Sequence, residues 1–173
     1  MSKADARAPI DAFELARLRG VVEGRLAFDA ARRLRASLRE ASGAIDYRLE
    51  GFVDERGRSA ARLFLRGDLP LSCDHCGQAM NLPLEHEAAF YFVRDESELA
   101  ALPVVVDEDA EPLLGSTAFD VATLVEDEAI LCIPVSPRHA ECAVSAEAPE
   151  SSTTSTRTNP FAELPGLLRK NGR

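Results

Sequence analysis

Residues 44–93 read AIDYRLEGFVDERGRSAARLFLRGDLPLSCDHCGQAMNLPLEHEAAFYFV, and their pattern decides the fold. Three runs, IDYRLEGFVD, SAARLFLRGDL and LPLEHEAAFYFV, alternate apolar with polar residues at the two-residue period of a half-buried strand. Asp54-Glu55-Arg56-Gly57 supplies turn chemistry between the first two runs. Between the second and third sits LSCDHCGQAMNL, which puts a Cys-x-x-Cys turn at the tip of a hairpin. The expectation is an antiparallel β-meander.

Helical patterns flank it. Upstream, DAFELARLR (11–19) places Phe13 and Leu15 to Leu18 at helical spacing behind a capping Asp11, and Gly20 ends the helix. VVEGRLAF (21–28) then reads as a strand interrupted by Gly24. In AARRLRASLRE (30–40), with Asp29 as N-cap, Leu34 and Leu38 share one face while Arg32, Arg35 and Arg39 share the other. Downstream, a short helical piece follows Asp95 and runs to Leu102, and VVVDEDAEPLLGS (104–116) reads as one short strand and a loop. AFDVATLVEDEAIL (118–131), capped by Ser116 or Thr117, is expected to be a helix that stops before Pro134. Its apolar stripe is Val121, Leu124, Val125 and Leu131, with Glu126 and Asp127 pointing away. Glu128 falls inside the stripe, where a buried carboxylate needs a partner, most naturally an arginine.

The fold class is therefore α+β, an antiparallel meander flanked by helices, in a single domain over residues 1–142. AVSAEAPESSTTSTRT (143–158) has the composition of a disordered linker. Residues 159–173 resume with NPFAELPGLLRK, in which Asn159 and Pro160 are cap-like. Phe161, Leu164, Leu167 and Leu168 can share one face of a docking tail, whose surface is a partner or the chain's own domain.

Charge narrows the partners. The 173 residues carry net charge −9, which disfavours indiscriminate nucleic-acid binding. Residues 1–70 nevertheless hold 14 basic against 11 acidic side chains, and residues 71–173 hold 6 against 18. A phosphate-facing surface belongs to the first half, where Arg32, Arg35, Arg39, Arg62 and Arg66 are the candidates. Arginine richness from genome base composition, with an ordinary solvated helix face, explains the same residues. No run approaches the roughly 18 apolar residues of a spanning helix, and the N-terminus lacks a signal-peptide core, so a cytoplasmic protein without membrane contact is expected.

In a reducing compartment the four cysteines are thiols or metal ligands. Cys73-x2-Cys76-Gly77 has knuckle spacing, and His139-x2-Cys142 offers the complementary pair for a structural Zn²⁺ held by Cys3His. Cys132, at the end of an apolar helix, reads as a buried small hydrophobe. Thiol redox chemistry is the rival use of Cys-x-x-Cys, but that motif opens a helix, whereas a strand-like NLPLEH follows here. Asp107, Glu108, Asp109 and Glu111 suggest a metal-dependent nuclease only weakly, because nothing beside them supplies a base or phosphate clamp. Neither a phosphate loop nor a nucleophile elbow is present, so no small-molecule substrate is expected.

Three blocks, LSCDHCG (71–77), VEDEAILCIPVSPRHAEC (125–142) and NPFAELPGLLRK (159–170), resemble in order and spacing the signature of the bacterial YceD-type family. Cys73, Cys76, Glu126, Asp127, Glu128, Pro134, Pro137, His139, Cys142, Asn159, Pro160 and Phe161 match its pattern. Two departures are the lack of a further Cys-rich knuckle beyond HAEC and the interruption of the tail helix by Pro165. The resemblance implies a non-catalytic ribosome-biogenesis factor that supports synthesis, processing or stability of large-subunit (23S) rRNA. Its partners would be rRNA or a pre-ribosomal particle, or a ribosome-assembly protein. The alternative is a protein–protein adaptor acting through the acidic half and the tail without touching RNA.

Overall fold

The computed structural model of the chain describes residues 9–102 and 110–142. The expected linker (143–158) and the tail with Asn159, Pro160, Phe161 and Leu164 lie outside the described residues, as do Asp107, Glu108 and Asp109. The elements are α1 (Ala12–Arg17), β1 (Val21–Ala27), α2 (Arg32–Ser37), β2 (Ala44–Val53), β3 (Ser59–Ser72), β4 (Ala79–Val93), α3 (Glu96–Ala101), β5 (Glu111–Leu114) and α4 (Val121–Leu131).

The strands form one sheet in chain order, β1-β2-β3-β4-β5. The first four run antiparallel, as the alternation predicts. β5 runs parallel to β4, reached through α3, so the sheet is mixed. Residue period two divides its faces. Ile45, Tyr47, Leu49, Leu63, Leu65, Leu69 and Leu71 point into a core completed by Leu15, Leu34, Leu124 and Val125 of the helices. All three of those helices thus cover one face.

On the other face Ala60, Tyr91 and Val93 pack with Phe52, Leu102 and Ala110 in a small second cluster at one end, and the rest is bare and charged. Cross-strand partners there form ion pairs: Arg25–Asp46 at 3.5 Å, Arg48–Glu23 at 3.3 Å, Arg62–Glu87 at 3.2 Å and Arg66–Glu85 at 3.8 Å. Each contributes little singly, since exposed pairs are worth about 0–1 kcal/mol.

The β2–β3 turn forms as read. Asp54 accepts from the Arg56 N–H at 2.9 Å, the Arg58 N–H at 2.7 Å and Arg58 Nε at 2.6 Å, and Gly57 takes φ 77°. Burial alone would push the Asp54 carboxyl up, but the Arg58 side chain and these N–H groups outweigh it and hold it below the usual range. A depressed folded value adds stability at neutral pH that disappears as pH falls through that value. Asp54→Asn is therefore expected to cost about 1–2 kcal/mol. The deficit should stay constant above about pH 5 and shrink below about pH 4 in urea titrations, because the ordinary Asp value is about 3.9.

Two helix starts differ from expectation. α4 begins after Asp120, which accepts from the Thr123 N–H, whereas Ser116 closes a separate turn onto the Ala118 N–H. Leu131, placed on the apolar stripe by its spacing, is 75% exposed, while its neighbours Ile130, Cys132 and Ile133 pack against the core. α2 begins at Arg32 with Ala31, not Asp29, at its N-cap, and no local side chain caps it. It also ends at Ser37, so Arg39 lies beyond the helix and does not extend the face of Arg32 and Arg35.

Candidate metal centre

β3 and β4 outrun β2, whose pairing with β3 ends at Arg66, so their hairpin projects with the cysteine turn at its tip. Within the turn the Gly77 N–H donates to the Cys73 carbonyl at 2.8 Å and the Cys73 N–H to the Gln78 carbonyl at 2.9 Å. Gly77 takes φ 70°, the left-handed conformation that the tight turn requires and glycine adopts without penalty. After α4 the chain returns to this tip, where the Asp74 N–H donates to the Pro137 carbonyl at 2.8 Å. Pro134 and Pro137 stiffen that return, because proline fixes φ and cannot continue the helix.

The return brings His139 and Cys142 onto Cys73 and Cys76. Cys73 Sγ lies 3.6 Å from Cys142 Sγ, and His139 Nδ1 lies 3.5 Å from Cys76 Sγ and 3.9 Å from Cys142 Sγ. All four ligand atoms fall within 4.8 Å of one another. A tetrahedral site with zinc–sulfur and zinc–nitrogen bonds of about 2.3 and 2.0 Å has edges of roughly 3.5–3.8 Å, so the cluster has the size of a metal site. His139 Nε2 donates to the Ala79 carbonyl at 3.2 Å. A carbonyl can only accept, so this bond puts the ring proton on Nε2 and leaves the Nδ1 lone pair facing the thiols.

The electrostatics agree with a cation-binding role. Burial would raise the Cys73 thiol, but N–H groups of Cys76, His139 and His75 aimed at its sulfur outweigh that and bring it to about 5. Cys142 is pushed up to about 12, first by its contact with Cys76, then by burial and by Cys73. A thiolate at Cys73 thus opposes a second one at Cys142, a repulsion that a bound cation would offset. Cys132 stands outside it, raised by burial and by Glu128. The turn leads into a strand and not into a helix N-terminus, so the arrangement that activates redox Cys-x-x-Cys motifs is absent from it.

The acidic triplet on α4 turns out to be joinery. Glu126, expected to face solvent, has a side chain only 12% exposed and accepts the Arg33 and Leu34 N–H groups. It thereby caps α2 from a distant helix, which explains why no local cap is needed. Asp127 binds the Arg33 guanidinium. Glu128 is buried as expected, yet its partner is His86 of β4, whose Nε2 donates to it at 3.0 Å, and not an arginine. The sequence offered no signal for Arg33 or His86, since neither stands out by spacing.

Replacing Glu126 by Ala should lower stability by about 1–2 kcal/mol through the lost cap, with Glu126→Gln recovering much of it because an amide oxygen still accepts. Urea midpoints of the two variants check this.

Of the arginines proposed to meet phosphate, Arg32 and Arg35 lie exposed on α2, while Arg39 donates to the Gly77 carbonyl at 3.2 Å beside the cysteine turn. Arg62 and Arg66 sit apart from these on the bare sheet face, each beside a β4 glutamate.

The model of one protein family, described as Large ribosomal RNA subunit accumulation protein YceD, matches residues 61–168, well over half of the chain. No solved structure matches. Among the described residues, no helix is long and apolar enough to cross a membrane.

Proposed function

Because the chain belongs to the YceD family, we propose that it serves large-subunit rRNA accumulation as a non-catalytic ribosome-biogenesis factor that binds rRNA or a pre-ribosomal particle. The observation that carries this reading is the family match, which spans both the cysteine hairpin and the acidic helix. Cys73, Cys76, His139 and Cys142 hold a structural Zn²⁺ in this reading. A Cys3His set with no ligand position left for water staples and does not catalyse. The ion joins the β3–β4 tip to the segment after α4, fixing Pro134 and Pro137 between them.

Phosphate contact falls to Arg32 and Arg35 on α2, with Arg39 tied to the metal turn. Arg62 and Arg66 would have to exchange glutamates for phosphates to take part, and so contribute less. A protein–protein adaptor acting through the acidic half is the second reading. It is favoured by the excess of 18 acidic over 6 basic residues in 71–173.

Ribosomal subunit profiles of cells lacking the protein test the first reading. Large subunits should fall relative to small ones, and complementation with Arg32, Arg35 and Arg39 all changed to Ala should fail to restore them. Full restoration by that variant would favour the adaptor. Unchanged profiles in the deletion would overturn both.

A further inference from the structure

The bare face of the sheet forms a trough of about 710 Å³ that runs across β1 to β4. Half-buried Phe64 lies on its floor, flanked in register by Arg48 on β2 and Glu87 on β4. We infer that this trough is a docking surface for a basic, extended polypeptide segment, an occupant beyond the function proposed above and independent of the metal site.

Charge decides among the possible occupants. Arg25, Arg48, Arg62 and Arg66 are each within 4 Å of a carboxylate on a neighbouring strand. Glu50 gives Arg48 a second carboxylate, and Asp68 has no partner among the described residues, so the exposed face carries six acids against four arginines. A polyanion such as RNA, or an anionic lipid surface, would meet a net negative surface whose cations are already engaged. A second copy of the chain would set this surplus against itself, on top of a net charge of −9 per chain.

A cationic segment meets none of these penalties. An arginine or lysine laid over Phe64 gains a cation–π contact while Glu87 and Glu85 stand one strand away. The trough has the volume of a specific site, in the range of about 300–1,000 Å³. Alternate side chains of an extended segment would fall on it at the period of the strands beneath.

The test uses the full-length, metal-loaded chain and a fluorescent 12-residue peptide alternating Arg with Ala, followed by anisotropy. Binding should weaken at least ten-fold in the Glu85→Lys, Glu87→Lys double variant and several-fold in Phe64→Ala. A control double variant, Glu55→Lys with Glu96→Lys, makes the same change in net charge at exposed sites elsewhere and should leave binding within about two-fold. Melting curves confirm that the variants fold, which the high exposure of Glu85 and Glu87 favours. Equal weakening by the control would reduce the effect to overall charge and overturn the proposal. Three other results would also overturn it: no peptide binding at millimolar concentration, a 12-nucleotide single-stranded RNA that binds and is lost in Phe64→Ala, or self-association abolished by the Glu85→Lys, Glu87→Lys pair.

Discussion

Cys73→Ser should strip the protein of zinc and lower its stability by about 4 kcal/mol, the contribution expected of a ligand present at a thousand times its dissociation constant. Cys73 is 1% exposed at the root of the turn, and three backbone N–H groups converge on its sulfur. Serine keeps the volume but supplies a hydroxyl that stays protonated and is a poor zinc ligand. Without the ion, the segment from Pro134 to Cys142 is left with few anchors, chief among them the Asp74–Pro137 and His139–Ala79 hydrogen bonds. Thermal melts of wild type, of wild type treated with a chelator, and of the variant should give the last two the same lowered midpoint. Cys132→Ser, outside the cluster, should retain a full equivalent of metal. A Cys73→Ser protein as stable as wild type, with wild type insensitive to chelator, would remove the staple from the account.

A second large effect is expected far from the cysteine cluster. At Gly51 an added Cβ would stand 2.3 Å from the carbonyl oxygen of Leu15 and 2.5 Å from its carbon, both backbone atoms of α1. A flexible side chain could turn aside, but a helix backbone can only lift away. Lifting α1 would withdraw Ala12 and Leu15 from the core and strain the 2.9 Å bond from the Gly51 N–H to the Gly20 carbonyl. Gly51→Ala is therefore expected to cost about 3 kcal/mol, the upper range for overpacking a close contact. Gly57→Ala makes the contrast: nothing lies within 4 Å of its Cβ, and only its positive φ opposes the change, at about 1 kcal/mol. Denaturant midpoints should separate the two substitutions clearly.

The parts of this protein that were legible in its sequence are those with short-range causes. Alternation in residues 44–93 encodes three antiparallel strands because side chains on a strand must face alternately in and out. Asp11 caps its helix because the groups it satisfies are two or three residues away. The pairing of Cys73 and Cys76 with His139 and Cys142 was readable from two ligand pairs of knuckle spacing, although nothing local says that residues 63 to 69 positions apart must meet. What escaped depends on which distant group arrives. Glu126 reads as a solvent-facing residue on its own helix and becomes a cap only when α2 is laid beside it. His86 is one polar residue among several on β4 until Glu128 is placed over it. The arginines of the sheet look like phosphate ligands in one dimension, and the register then sets each opposite or beside a carboxylate.

The cysteine tip and the acidic helix belong to one scaffold: Arg33 of α2 is tied to Glu126 and Asp127, and Arg39, just beyond α2, donates to the cysteine turn. The most direct test is ultraviolet crosslinking of the full-length protein in living cells, followed by sequencing of the attached RNA. Fragments concentrated in large-subunit rRNA or its precursor are expected, and fewer of them when Arg32, Arg35 and Arg39 are replaced by Ala. Recovery of no RNA above an uncrosslinked control would contradict the proposed rRNA binding.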